Sequence, residues 1–322
     1  MPATLLMLPP QTKTTHQWAE RLAIDVPDIS VVVAEDADRA TRAIAEADCA
    51  FGTLPRALLS KATRLRWLQA PQAAPPAGWY YPELIAHPVV VTNFREIYND
   101  HIAAHIMAFV LAFARGLQQY LPRQLKQEWR PGAHDTGVIH LPEATALIVG
   151  VGGIGAEAAR LASAFGMRVI GVDARRRDTP PGVAALHGAD ALDALLPQAD
   201  FVILTVPHTP GTEGFMNRAR FQRMKRTAFF INIGRGMTTH LDDLVAALRA
   251  GEIAGAGLDV FEQEPLPATH PLWTMPGVLI TPHTAGYGPY LDDRRYEILR
   301  DNCRRFLAGQ PLRNVVDKTS WF

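Results

Sequence analysis

The sequence predicts an α/β protein built on a doubly wound parallel sheet, and three observations predict it. Short apolar runs alternate with helical patterns along most of the chain. Those runs are continuous rather than alternating, as strands covered by helices on both faces require. The stretch from Thr145 to Asp173 reads in order as strand, glycine turn, helix and strand.

That stretch organises the rest. Thr145–Val149 is followed at once by Gly150-Val-Gly152-Gly153-Ile154-Gly155 and a helical pattern to Phe165. Gly150 permits a sharp turn, Gly152 lets a pyrophosphate approach the backbone, and Gly155 lets helix and strand pack closely. The helix N-terminus favours the anion. The second strand, Arg168–Asp173, ends in an acid eighteen residues after Gly155, near the spacing at which a carboxylate meets the adenosine ribose. In this context the glycine pattern predicts a dinucleotide site. The preferred dinucleotide stays open: Asp173 favours NAD(H), whereas Arg175, Arg176 and Arg177, one residue beyond it, suit the 2′-phosphate of NADP(H).

The other elements follow in order. Strands are expected at Thr4–Leu8, Ile29–Ala34, Cys49–Phe51, Leu65–Gln69 and Val89–Thr92, with helices over Thr14–Leu22 and Asp36–Glu46. Prolines at three positions make Ala70–Gly78 a loop. From Asp100 to Tyr120 one long helix is expected, with Ile102, Ile106, Phe109, Val110 and Phe113 on one face, bridging two domains. Later strands are expected at Phe201–Leu204, Ala228–Asn232, Gly255–Asp259 and Val278–Thr281, with a helix at Leu241–Ala250 between two of them. The amphipathic Leu291–Leu307 is expected to return to the first domain. The boundaries are therefore set at 1–101 with 288–322 for a substrate domain and 102–287 for the dinucleotide-binding domain.

Composition excludes several classes. With 322 residues, 48% hydrophobic and 20% charged, the chain is globular, and 32 basic against 32 acidic residues leave no net field to attract nucleic acid or an anionic membrane. Cys49 and Cys303 are far apart and in no CxxC pattern, which points to a reducing compartment and neither a disulfide nor a zinc framework. The apolar Met1–Leu8 lacks a basic leader, and Ile102–Ala114 is too short to cross a bilayer. A cytoplasmic protein with a small-molecule partner is expected. His101 and His105 stand four apart on the long helix, but the ligand set is incomplete, so they are read as capping or interface histidines and no metal is expected.

Three polar residues stand at the ends of late strands, where open α/β sheets bind ligands. Arg235, in Asn232-Ile-Gly-Arg235-Gly236, carries a guanidinium suited to a carboxylate and a carbonyl oxygen, although alone it reads as a surface ion pair. Glu264 precedes Pro265, and His283 sits in Thr281-Pro-His283-Thr-Ala-Gly286. An imidazole beside a carboxylate keeps its proton more firmly and suits a general acid.

Together these residues carry a resemblance. The motifs GVGGIG at 150–155, TVPHTP at 205–210, INIGRG at 231–236, LDVFEQEPLP at 258–267 and TPHTAG at 281–286 resemble those of the D-specific 2-hydroxyacid dehydrogenases. This family includes glyoxylate/hydroxypyruvate reductases. The resemblance implies a Rossmann domain, a flavodoxin-like substrate domain and a homodimer formed through the long helix. It implies that Arg235 binds and polarises a 2-keto acid, that His283 is the proton donor or acceptor, and that Glu264 is its partner. NAD or NADP would be held by Gly150, Gly152, Gly153, Ile154, Gly155, Asp173, Arg175, Arg176, Val206, Pro207, Thr212, Ile233, Asp259, His283 and Ala285, with Asp259 near the nicotinamide carboxamide.

Two departures stand out. The substrate loop reads Gln69-Ala-Pro-Gln-Ala-Ala-Pro, so its backbone amides are left to grip a carboxylate in a shape the family does not supply. Ala104 replaces the common acidic residue before His105. The competing function is a non-enzymatic, dinucleotide-sensing binding protein of the corepressor type, against which stands the absence of a disordered tail or basic run. Formate dehydrogenases share the fold, but they lack the glutamate that Glu264 supplies.

Overall fold

The computed structural model describes residues 2–73, 78–130 and 137–321. The chain divides into two compact units, one of Met1–Ile97 with Pro289–Phe322 and one of Tyr98–Gly288. In the first unit the strands β1 (Ala3–Met7), β2 (Ile29–Val33), β3 (Cys49–Phe51), β4 (Trp67–Gln69) and β5 (Val90–Thr92) pair in parallel in the order β2-β1-β3-β4-β5. This is the flavodoxin-like order. Leu6, Ala50, Leu68 and Val91 are buried within it.

Helices α1 (Lys13–Asp25), α2 (Ala37–Ala43), α3 (Arg56–Leu59) and α4 (Pro82–Ala86) connect these strands. Thr12 starts α1 with a capping box: its hydroxyl accepts the Thr15 N–H, and the Thr15 hydroxyl accepts the Thr12 N–H. Asp36 caps α2, which ends at Ala43 and tightens into a 3₁₀ turn over Ile44–Glu46, so the helix expected to run to Glu46 is α-helical over only part of that span. The C-terminal helix Leu291–Leu307 belongs to this unit. A buried network ties it to the sheet: Trp67 Nε1 donates to Thr92 Oγ1 (2.8 Å), Thr92 donates to Gln69 Oε1 (2.7 Å), and Asn302 Nδ2 donates to the same oxygen (3.3 Å). Residues 74–77 of the proline-rich stretch lie outside the described residues.

The second unit opens with α5 (Asn99–Ala114) and α6 (Leu117–Leu125). The single long helix expected here is broken: Gly116 takes φ +70, and the axis turns by 76°. Glycine reaches that left-handed region without the Cβ penalty. The helix α5 presents Ile106, Phe109, Val110 and Phe113 inward, as its periodicity predicts. Phe109, Phe113, Phe229 and Phe201 stack in succession, with centroids 6.5, 4.4 and 5.8 Å apart.

The sheet of this unit contains β6 (Thr145–Val149), β7 (Arg168–Val172), β8 (Ala185–His187), β9 (Phe201–Leu204), β10 (Phe229–Asn232), β11 (Gly255–Leu258) and β12 (Val278–Ile280). The helices α7 (Gly153–Ala164), α8 (Leu192–Leu195), α9 (Arg218–Phe221) and α10 (Leu241–Arg249) lie between them in sequence. The strands are parallel in the order β12-β11-β10-β9-β6-β7-β8, a Rossmann sheet whose order reverses between β6 and β9. Ligands of such sheets bind outside the carboxyl ends of the strands at that reversal. The short β8 was not foreseen, because Ala-Leu-His offers no apolar run. Among the described residues no single helix is long and apolar enough to cross a membrane.

Candidate active site

The loops after β6, β7, β9, β10, β11 and β12, with the first turn of α7, carry the expected site residues at the carboxyl edge of one sheet. At the reversal, Gly150 has φ +95, and a Cβ on it would meet Val206 N at 3.0 Å. The glycine therefore lets the turn lie against the loop after β9, where Thr205 Oγ1 donates to the Gly150 carbonyl. A Cβ on Gly155 would stand 2.1 Å from the Gly150 oxygen, and one on Gly153 would meet the Asn99 side chain at 2.5 Å. Gly152 is different: nothing lies within 4 Å of a Cβ built there. No side chain caps the first turn of α7. Open space before an uncapped helix N-terminus fits a dinucleotide pyrophosphate. Ile154 packs on the core behind this turn.

Asp173, at the end of β7, faces backbone. Its Oδ2 accepts the Val151 N–H (2.8 Å), and its Oδ1 accepts the N–H groups of Arg175 and Arg176 (2.8 Å each). A carboxylate has about four acceptor positions, so three are filled. Arg176 Nη1 donates to the Val151 carbonyl at 3.0 Å and Nη2 to Asp178 Oδ2 at 2.7 Å, which holds this guanidinium beside the glycine turn. Its hydrogen bond keeps the Asp178 carboxyl below the usual carboxylate range.

In the loop after β9, Thr212 Oγ1 donates to the Pro207 carbonyl (2.7 Å) and accepts the Thr209 N–H (2.8 Å), so it shapes the loop that bears Val206 and Pro207. After β10 the chain passes Ile233, which is buried, to Arg235. Two glycines bracket that arginine. A Cβ on Gly234 would lie 2.5 Å from the Val206 oxygen, and one on Gly236 only 1.8 Å from the Phe261 carbonyl carbon. Buried Asn232 ties the turn together: its Oδ1 accepts the Gly234 N–H, and its Nδ2 donates to the Arg235 carbonyl and to Thr239 Oγ1. Arg235 is half-buried. Burial draws its guanidinium below the usual arginine range, while the negative charge of Glu264 opposes the shift.

His283 Nδ1 lies 2.6 Å from Glu264 Oε2, and Glu264 Oε1 accepts the Phe261 N–H at 2.9 Å. A carboxylate only accepts, so Nδ1 carries the hydrogen and Nε2 is left for a ligand. The His283 side chain is 47% exposed and that of Glu264 35%, which leaves the pair within reach of a small molecule. Asp259, by contrast, is buried. Its Oδ1 accepts from Thr281 Oγ1 (2.6 Å) and the Thr284 N–H (2.8 Å), and its Oδ2 accepts the Ala285 N–H (3.0 Å). His105 Nε2 reaches Thr281 Oγ1 at 2.9 Å. Neither Thr281 nor Asn232 is singled out by the sequence reading. The available signal was position: each is a hydrogen-bonding residue at the end of an apolar strand. Among the described residues no three His, Cys, Asp or Glu side chains gather as a metal site.

The family model described as the NAD binding domain of D-isomer specific 2-hydroxyacid dehydrogenases matches residues 107–285. Glyoxylate reductase of Korarchaeum cryptofilum is 34% identical over 232 residues, 71% of this chain and 70% of that protein. Glyoxylate/hydroxypyruvate reductase B of Citrobacter koseri is 34% identical over 319 residues, 94% of each. A D-isomer specific 2-hydroxyacid dehydrogenase from Xanthobacter autotrophicus, solved in complex with NADPH and MES, superposes with a TM-score of 0.84 at 28% identity over the whole of both chains. The NADPH-dependent glyoxylate/hydroxypyruvate reductase of Sinorhizobium meliloti, in complex with NADP and sulfate, gives 0.82 at 29% identity over 99% and 100% of the two chains.

The glycines separate fold from binding. Gly155→Ala is expected to lose about 1 to 3 kcal/mol of stability, because a methyl group must force strand and helix apart. Gly152→Ala should melt within a few degrees of the wild type yet lose most of its dinucleotide affinity. Thermal melts paired with calorimetric titration of NADPH check both, and a Gly152→Ala protein that binds normally would place the pyrophosphate elsewhere.

Proposed function

Because this chain belongs to the family of D-isomer specific 2-hydroxyacid dehydrogenases, we propose that it reduces a small 2-keto acid to the D-2-hydroxy acid with a nicotinamide dinucleotide. The observation that carries this reading is the 2.6 Å His283–Glu264 pair on the same sheet edge as the half-buried Arg235. Glyoxylate and hydroxypyruvate, after which the relatives are named, are the substrates to try first. Those names favour the reductase over a dinucleotide-sensing corepressor.

Bound nicotinamide would supply or accept the hydride. Arg235 binds the substrate carboxylate and polarises the keto oxygen. His283 delivers a proton from Nε2 to that oxygen as charge develops, and takes it back in oxidation. Glu264 accepts the Nδ1–H hydrogen and so orients the ring, leaving Nε2 for the substrate oxygen.

The dinucleotide is inferred to be NADP(H) as well as NAD(H). Asp173 has one acceptor position left, too few to receive both ribose hydroxyls, while Arg175 and Arg176 stand just beyond it, after Ala174. We further infer a homodimer. Leu117, Tyr120, Leu121 and Leu125 expose apolar surface on α6, with Leu125 86% exposed and nearby Trp129 96% exposed. An apolar patch of this kind is what a second copy would cover.

Arg235→Ala should lower kcat/KM for glyoxylate by about a hundredfold or more while leaving NADPH affinity close to wild type, and Arg235→Lys should recover only part, since an ammonium lacks the two-pronged donor geometry. Equal loss of cofactor binding would contradict the assigned role. The ratio of kcat/KM for NADPH over NADH should fall about tenfold when Arg175 and Arg176 are both changed to alanine, on the strength of charged hydrogen bonds; an unmoved ratio would mean that neither reads the phosphate. In light scattering after gel filtration, the wild type should have twice the chain mass, and Leu121→Asp with Leu125→Asp should give monomer. A double variant that remains dimeric would move the interface away from α6.

A further inference from the structure

His105 lies outside the proposed reaction, yet its ring is connected to the residue that moves the proton. Asp259, as a carboxylate, can only accept, so the 2.6 Å bond to Oδ1 uses the single hydrogen of the Thr281 hydroxyl. Thr281 Oγ1 must then accept at 2.9 Å from His105, which fixes the hydrogen of that imidazole on Nε2. Burial lowers the proton affinity of His105, against the pull of the Asp259 charge, so the neutral ring has one hydrogen to give. Edge-on packing against Phe109, with centroids 4.9 Å apart and planes at 88°, sets the direction of the ring.

The far end of this chain of bonds is the turn that carries His283. That residue has φ +55, a left-handed conformation uncommon for a side chain with a Cβ, which persists only where its surroundings hold it. Asp259 is central to those surroundings. The Asp259 carbonyl accepts the His283 N–H at 2.8 Å, and its carboxylate accepts the N–H groups of Thr284 and Ala285 together with the Thr281 hydroxyl.

We infer that His105 and Thr281 are positioning residues for His283: the half-buried relay His105–Thr281–Asp259 locks the 281–285 turn so that His283 meets Glu264 squarely. The inference rests on His283 being the proton donor of the proposed reaction. Neither residue touches substrate. The relay works by orientation, and loss of one hydroxyl would let the turn relax and the Nδ1–H bond to Glu264 lengthen.

The test removes that hydroxyl without changing side-chain size. Thr281→Val should lower kcat for glyoxylate about tenfold with KM values for glyoxylate and NADPH within about twofold of wild type, and Thr281→Ser should restore kcat. His105→Leu should reproduce the valine phenotype, and His105→Gln, which keeps an N–H donor, should recover part of it. A second readout needs no turnover: in protein with ¹⁵N-labelled histidine, the far-downfield Nδ1 proton that His283 shares with Glu264 should be present in wild type and Thr281→Ser and lost in Thr281→Val and His105→Leu. If both kcat and that resonance survive in Thr281→Val or His105→Leu, even at a lower melting temperature, the residues are merely structural and the inference is overturned. His283→Asn separates the premise: if it still reduces glyoxylate, His283 is not the proton donor, whereas an inactive His283→Asn beside a fully active Thr281→Val defeats the relay alone.

Discussion

The site depends on a contact that leaves no room for a methyl group. Next to Arg235, a Cβ on Gly236 would fall 1.8 Å from the Phe261 carbonyl carbon, and on the other side one on Gly234 would fall 2.5 Å from the Val206 oxygen. Three loops after parallel strands are thereby packed backbone to backbone. This brings the guanidinium within the electrostatic reach of Glu264, which itself hangs from the Phe261 N–H. Parallel strands place all their carboxyl ends along one edge, and the glycines bring those ends close enough for residues distant in sequence to share one ligand.

Much of this was legible in the sequence because the constraints are local. A glycine turn between an apolar strand and a helix has one geometric purpose, and Gly150 and Gly155 serve it where an added Cβ would stand 3.0 Å from Val206 N and 2.1 Å from the Gly150 oxygen. The strands after residue 200 were visible as short apolar runs, since burial on both faces leaves no polar positions. The break at Gly116 was missed because the apolar pattern alone does not separate one helix from two when a single left-handed residue turns the axis. The pairing of His283 with Glu264 is confined to no local stretch of sequence and came through the family resemblance.

Asp173 shows the limit of reading a residue by its place in a motif. Its spacing marks it as a ribose ligand, yet three of its acceptor positions are filled by backbone N–H groups, two from the arginines that follow it. The same carboxylate that anchors the turn of Arg175 and Arg176 is left with less to offer a sugar. Asp259 is a parallel case: expected beside the nicotinamide, it has its carboxylate bound to the turn that holds His283. In both places a buried or half-buried acid organises backbone first, and any contact to a ligand uses what remains.

On the proposed function, this sheet edge brings a hydride and a proton to the two ends of one carbonyl. Mass spectrometry of the product formed from hydroxypyruvate with dinucleotide deuterated at the transferable C4 position tests it most directly. The proposed reaction yields glycerate carrying one deuterium at C2 and none elsewhere, formed as the D isomer, with labelled product lost in His283→Ala and Arg235→Ala. Dinucleotide that binds without being consumed, or glycerate that forms without the label, would contradict it.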